Sequence, residues 1–208
     1  VRPGHAMPHS LFVGNNDTEG RDATVDFIGI EEGTRDEVIL ETEVLAPGEV
    51  HEFILEHPPI MTGSSLLRTG GIYRIKSDLP VSAVQMSPHP PANRLPDSSL
   101  LLPEEAERTQ FVVPGAPGKG LAGAPDPWSG YATIIALHDE TVVSWTSPHV
   151  ATFGNGAPMP PAAAGETVSV TLNRYDNMRI SATQDDGMPN WHTWDISGLV
   201  VESTKPIS

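Results

Sequence analysis

Apolar and polar residues alternate with a period of two along much of the chain. The alternation is clearest in 36–45 (DEVILETEVL), 49–55 (EVHEFIL) and 166–173 (ETVSVTLN). Because successive side chains of a strand point to opposite faces of a sheet, this period predicts β-strands with one buried face. Further segments of the same kind lie at 23–30, 71–86, 109–115, 130–146, 177–183 and 195–203.

Proline and glycine separate these segments. The chain holds 21 Pro and 19 Gly, and both residues are poorly tolerated inside helices. The segment 103–110 (PEEAERTQ) favours about one helical turn, with acidic residues in its first turn. Short strands with turn signals at intervals of roughly ten residues predict an all-β fold of Ig-like or jelly-roll-like β-sandwiches.

One passage near the middle of the chain recurs at its end. Residues 72–82 (IYRIKSDLPVS) match 198–208 (GLVVESTKPIS), so Ser77 falls on Ser203 and Pro80 on Pro206. Two further collinear matches pair 47–55 with 164–172 and 22–30 with 131–139. Loops tolerate insertion while ladders do not, so these matches predict two tandem sandwich units related by internal duplication.

The predicted organisation has three parts. Residues 1–88 form the first unit, 89–108 form a Pro-rich connector with a short helix, and 109–208 form the second unit. The first copy continues beyond its Pro-Val-Ser segment, so the final strand of the second unit is predicted to be truncated. The start VRPGHAMPHS carries no initiator Met and no signal-peptide core, which predicts a piece of a longer protein.

The sequence resembles the N-terminal domain of the IgGFc-binding protein family, which also occurs in bacterial secreted proteins. A strand that ends in S-x-x-P-V, at Ser77, Pro80 and Val81, leads into an apolar strand. The other motif positions are Asp97, Leu102, Pro103, Phe111, Val113, Ala136, Asp139, Thr141, Val143, Trp145, Ser203, Lys205, Pro206 and Ile207. Arg108-Thr109 stands where the family usually has a glycine. The resemblance covers the chain from about residue 11 to its end.

The resemblance implies a β-rich extracellular or cell-surface module for binding or adhesion. It supplies no catalytic residue for this chain, and its motifs consist of turns and strand starts. No GxSxG nucleophile motif occurs either, so we expect no enzyme activity, with a hydrolase as the least favoured class.

Charge and cysteine content argue against several kinds of partner and site. Twenty-seven acidic and 12 basic residues give a net charge of −15, which opposes binding to nucleic-acid phosphates or anionic lipid. No apolar run reaches the roughly 18 residues that span a bilayer, so we expect no membrane insertion. The absence of Cys excludes disulfides and zinc–thiolate sites.

Aromatic residues in Gly/Pro-rich segments are the candidate ligand-binding residues. They are Trp128, Tyr131, Trp191, His192 and Trp194. Exposed aromatic side chains suit sugar stacking or a protein hot spot. The alternative is that they cover the open end of a sandwich or fill the junction between the two units. Trp145 alternates with Val143 and is predicted to lie in the core.

One loop near the start of the chain is rich in oxygen ligands. Asn15, Asp17, Glu19 and Asp22 are candidate calcium ligands, because Ca²⁺ takes several oxygen atoms. The spacing differs from that of an EF-hand, and an ordinary Asn/Asp/Gly turn is the alternative. We predict no other cofactor.

Two functions follow as hypotheses. The first is a non-catalytic extracellular adhesion or binding module that recognises a protein or glycan through the second-unit loops 116–131, 150–164 and 184–195. The second is a structural spacer or self-assembling subunit, in which a neighbouring chain completes an open sheet edge.

Overall fold

Among the residues that the structure describes, almost all regular structure is β-strand, which confirms the predicted all-β class. The computed structural model describes residues 9–55, 65–87, 97–115, 130–152, 154, 158–182 and 195–208. Strands β1 to β7 span His9–Asn15, Ala23–Ile30, Glu37–Leu45, Val50–Leu55, Leu66–Thr69, Ile72–Ser77 and Val81–Ser87. Strands β8 to β14 span Asp97–Leu100, Arg108–Val112, Tyr131–Ile135, Thr141–Thr146, Thr167–Leu172, Asp176–Ser181 and Val200–Ile207. A 3-10 helix spans Glu104–Ala106.

The chain divides into two compact units, each built from separate stretches of sequence. Unit 1 comprises Val1–Glu31, Asp36–Ile60 and Gly71–Ala106. Unit 2 comprises Glu32–Arg35, Met61–Gly70 and Glu107–Ser208. The sequence-based boundaries at 88 and 109 stay a prediction. Strand β8 lies in the segment for which the sequence predicts a connector.

Unit 1 is a sandwich of two antiparallel sheets. Their strand orders are β4-β1-β7-β8 and β3-β2-β6. Both sheets contribute to one apolar core, in which the rings of Phe27 and Phe53 lie 5.1 Å apart. The buried members of this core are Leu11, Val13, Val25, Phe27, Leu45 and Phe53. Their alternation with polar residues along each strand is the pattern that predicts one buried face.

Unit 2 is likewise built from two antiparallel sheets over one core. Their strand orders are β12-β11-β14-β9 and β10-β13-β5. The buried core comes from both sheets and includes Ile134, Val143, Trp145, Leu172, Met178, Ile180, Val201 and Ile207. Trp145 is 1% exposed, which confirms its predicted core position.

Strand β5 belongs to unit 2 although it precedes β6 of unit 1 in the sequence. It pairs antiparallel with β13, with Thr69 opposite Asp176. The turn before β3 also supplies a residue to unit 2, because Arg35 donates from Nε and Nη2 to the Asp176 carboxylate at 2.8 and 3.1 Å. The Asp176 side chain is buried, so this bidentate pair offsets the cost of burying its charge.

Strand β14 belongs to one sheet of unit 2, and its end also contacts the other sheet through a bridge between Ile207 and Ala136. Its first half pairs with β11 and β9, and its register shifts between Glu202 and Ile207, where Pro206 lies. Beyond the shift, Ser208 and Ile135 exchange two backbone hydrogen bonds of 3.0 and 2.7 Å. Proline has no backbone N–H to donate to a neighbouring strand. Pro206 therefore fits the point at which the regular pairing of β14 is interrupted.

Ladder positions bear on the predicted duplication. Ser77 of β6 lies opposite Val25 of β2, and the matched Ser203 of β14 lies opposite Val143 of β11. The β2–β3 hairpin plus β6 therefore has the same arrangement as the β11–β12 hairpin plus the first half of β14.

The other two sequence matches do not follow the ladders. They align β2 with β10 and β4 with β12, whereas the ladders place β2 with β11. Strand β10 instead resembles β1: in unit 1, Asn15 N–H donates to Glu49 and Gly48 N–H donates to Asn15, and Ala136 makes the same exchange with Asp176 and Tyr175. The duplication itself stays a prediction.

Candidate functional site

Described residues that flank three segments of unit 2 lie together at one end of the unit. The segments are 116–129, 153–161 and 183–194. The backbone N–H of Ala182, which precedes the segment 183–194, donates to the carbonyl of Gly130 at 3.0 Å. Gly130 follows the segment 116–129. The residues that flank the two tryptophan-containing segments are therefore hydrogen-bonded neighbours.

The third loop starts and ends at the same place. Thr152 and Ala162 exchange backbone hydrogen bonds of 2.8 and 3.3 Å, and Thr152 also bridges to Ala182. The indole Nε1 of Trp145 donates to Thr152 Oγ1 at 3.2 Å, and both residues are buried. A buried indole N–H usually finds such a partner, so the core of the unit holds Thr152, the residue at which this segment begins.

A further contact links the other ends of the two tryptophan-containing segments. Val113 N–H donates to Leu199 and Gly198 N–H donates to Val113, both at 2.9 Å. Gly115, two residues after Val113, packs closely against Ser197. A Cβ at position 115 would lie 2.8 Å from the backbone N of Ser197. Only glycine allows this approach, which places residues on either side of the two segments together. We call this part of unit 2 the loop end; it contains Gly115, Gly130, Thr152, Ala162, Ala182 and Ser197.

Tyr131 is the predicted ligand-binding residue whose position is described. It lies at the start of β10, next to Gly130, and 56% of the residue is exposed. The guanidinium of Arg179 lies 3.8 Å from the centre of its ring, a cation–π distance. Burial lowers the pKa of Arg179 from its ordinary value, and Tyr131 partly opposes that effect. Trp128, Trp191, His192 and Trp194 lie outside the described residues.

The predicted calcium ligands lie together, but their polar atoms have partners in the protein. Asn15 is buried, and its Nδ2 donates to the carbonyls of Arg21 and Leu45, each at 2.9 Å. Asp17 accepts hydrogen bonds from the backbone N–H groups of Glu19 and Arg21. The side-chain hydrogen bond from Arg21, at 2.7 Å, is the main reason that the pKa of Asp17 falls to about 2.

These contacts describe a turn held by its own side chains. Asp22 is exposed, and the Glu19 carboxylate lies 3.2 Å from Arg21, so one guanidinium neutralises two of the acids. Calcium binding by Asn15, Asp17, Glu19 and Asp22 stays a prediction.

A different group of metal-ligating side chains was missed from the sequence. Glu41, Glu43 and His51 each place one ligand atom within 4.8 Å of the other two. The alternation along β3 contained part of the information. Glu41, Glu43 and Leu45 lie on the same face of the strand, and Leu45 is buried, so both glutamates are on the face that the pattern predicts to be buried. The nearness of His51 depends on how two sheets pack, which the sequence pattern does not give.

Comparison with known proteins gives one match. The family model described as IgGFc binding protein matches residues 97–208, which include strands β8 to β14. Searches of curated proteins and of solved structures found no match. Among the described residues, no helix is long and apolar enough to cross a membrane.

The family match covers more than half of the chain and contains most of unit 2, including the strands on both sides of the loop end. It confirms the resemblance that the motifs at Asp97, Val143 and Ser203 indicate. The chain therefore belongs to the IgGFc-binding protein family, a family of binding modules.

Proposed function

We propose that this chain is a non-catalytic extracellular binding module and that it recognises a protein partner through the loop end of unit 2. The observation that carries the proposal is the convergence of the loop-flanking residues. Gly130, Thr152 and Ala182 are joined by a backbone hydrogen bond and a bridge, so residues that flank three different segments are neighbours.

The chemistry at the loop end supports a protein partner. Tyr131 and Arg179 together offer an exposed aromatic ring and a cation, residue types that are enriched at interface hot spots. The neighbouring segments contain three of the chain's four tryptophans, Trp128, Trp191 and Trp194. A rigid sandwich that carries variable loops is a common arrangement for recognition. The description of the family names IgG Fc, which makes Fc the first probe.

Surface plasmon resonance with the immobilised 208-residue chain tests the proposal. The analytes are IgG Fc, deglycosylated Fc and a panel of secreted proteins, and a glycan array is probed in parallel. Loss of a hot-spot aromatic residue costs about 2 kcal/mol or more, a weakening of roughly 30-fold. We expect that weakening for Tyr131→Ala and for Trp191→Ala.

Ile39→Ala in unit 1 is the control, because Ile39 is a large apolar residue that is 60% exposed. Unchanged affinity for a partner after both loop-end substitutions, or after deletion of residues 186–194, would reject this surface. Binding to glycans alone would reject the protein partner.

Self-assembly is the second candidate, and one observation favours it. Among the described residues, β10 is fully paired with β13 on one side, while its other side pairs only through Ile135 and Ala136 with the end of β14. The backbone groups of Tyr131 and Thr133 on that side can accept a strand from another chain. Light scattering on the purified chain measures its molar mass in solution. A monomeric mass at every protein concentration would eliminate self-assembly as the function.

A further inference from the structure

Strand β3 directs two carboxylates toward the interior of unit 1. Glu41 lies opposite Phe27 and Glu43 lies opposite Val25 in the β2–β3 ladder. Residues directly opposite each other in an antiparallel pair share one face of the sheet. Phe27 and Val25 are core residues, so both glutamates lie on the inner face, at the edge strand of their sheet.

Strand β4 directs a histidine toward the same space from the other sheet. His51 lies opposite Val13, which is fully buried, and β4 is the edge strand of its own sheet. The imidazole packs edge-on against Phe53, with ring centres 4.6 Å apart. The side chain of His51 is 30% exposed, so the ring is held by the core while ions from solvent can still reach it.

The three side chains meet at this rim of the sandwich. His51 Nε2 lies 3.0 Å from Glu41 Oε1, and one ligand atom of Glu43 lies within 4.8 Å of both. Four-coordinate zinc holds ligand atoms about 3–3.5 Å from one another, at metal–ligand distances of about 2.0–2.2 Å. A small change in the Glu43 side-chain torsions therefore brings the third ligand into range.

The two carboxylates beside His51 give this edge of the sandwich an excess of negative charge, which favours a bound cation. Within the described part of the chain, no lysine or arginine forms an ion pair with Glu41 or Glu43. By comparison, the Asp17 and Asp176 side chains, each 7% exposed, pair with Arg21 and Arg35. The Glu41 side chain is 42% exposed and so keeps part of its hydration, and a bound metal ion would neutralise the two neighbouring negative charges.

We propose that Glu41, Glu43 and His51 form a binding site for a divalent transition-metal ion, with Zn²⁺ as the preferred ion. One imidazole nitrogen and two carboxylates suit zinc, whereas calcium takes six or more oxygen ligands. The ion would join the edge strands of two different sheets and so hold the rim of unit 1 closed. This site lies in unit 1 and is independent of the proposed partner-binding surface.

Isothermal titration calorimetry on the untagged, chelator-treated 208-residue chain tests the site. We expect Zn²⁺ to bind more tightly than Ca²⁺. Loss of a second-shell contact alone typically weakens metal binding 10- to 100-fold, so removal of a ligand should weaken it by about tenfold or more. His51→Gln and Glu43→Gln should both show this loss.

His149→Gln is the matched control, because His149 is an exposed histidine of unit 2 and lies outside the cluster. Zn²⁺ should raise the melting temperature of the unmodified chain and of the control, and should have little effect on His51→Gln. Glu43→Gln keeps the side-chain shape and serves if His51→Gln fails to fold. Absence of Zn²⁺ binding, or equal binding by all variants, overturns the proposal and leaves the inward charges with only a role in edge protection.

Discussion

Single side chains in the core of unit 2 hold the loop end in place. The Trp145 indole donates to Thr152 Oγ1 at 3.2 Å in a fully buried setting. Thr152→Val keeps the shape but leaves the indole N–H without its acceptor, at a cost of about 1–3 kcal/mol in the free energy of unfolding. Urea denaturation measures this loss. Thr133→Val, at an exposed threonine, should change stability little, and an equal loss in both variants would contradict the prediction.

In unit 1, Asp17 makes the free energy of unfolding depend on pH. Its pKa is lowered from 3.8 to about 2 by the hydrogen bond from Arg21, so the unfolded chain binds a proton more readily than the folded one. The stabilisation is therefore complete above about pH 4 and is lost as the pH falls toward 2.

We accordingly expect Asp17→Asn to be less stable than the parent chain at neutral pH, with a difference that shrinks between pH 4 and pH 2. Thermal melting followed by circular dichroism across this range measures the difference. Asp22→Asn removes the same charge from the same loop and is the control. A difference that persists undiminished at pH 2 would show that the Arg21 pair is not its source.

At the scale of elements, the period of two located most strands and missed three. Strands β2, β3, β4, β6 and β7 fall within a residue or two of the predicted segments. Strand β1 was missed because Leu11, Phe12 and Val13 form a short apolar run without alternation. Strands β5 and β8 have four residues each, too few to display a period.

One element contact gives a sharp prediction. A Cβ at Gly115 would lie 2.8 Å from the backbone N of Ser197, and backbone atoms move less easily than the end of a side chain. We expect Gly115→Ala to destabilise the chain by about 1–3 kcal/mol through overpacking. At Gly14 a Cβ would lie 3.4 Å from Val50, an ordinary contact, so Gly14→Ala is the matched control. Equal unfolding midpoints in urea for the two variants would contradict the prediction.

The candidate site was only partly accessible from the sequence. Composition predicted Tyr131 and the aromatic segments as ligand-binding, a prediction that stands untested. The hydrogen bond between Ala182 and Gly130 joins strands that are far apart in the chain. The cation–π contact between Tyr131 and Arg179 is also non-local, because it depends on the register of β10 against β13. Non-local register of this kind has no local signature in a single sequence.

At the scale of the whole molecule, the matched family segment is not the same as the compact unit. Residues 97–208 lack β5, which pairs with β13 and places Leu67 against the core of unit 2. We expect a fragment of residues 97–208 to be less stable than the full chain, because the edge of β13 and part of the core are uncovered.

Hydrogen exchange measures this difference in the amides of β13. Adding a peptide of residues 61–70 to the fragment should restore part of the protection, and a scrambled peptide of the same composition is the control. If the fragment alone protects β13 as well as the full chain does, β5 contributes little to unit 2.

The path of β14 has a mechanical consequence. Its first half is hydrogen-bonded on both sides, to β11 and β9, and its end is bonded to β10 in the opposing sheet. A pull on Ser208 along the strand axis would load these bonds together in shear, so they would have to break in concert. A tether attached at this end would therefore resist extension far better than one that peels a strand away bond by bond.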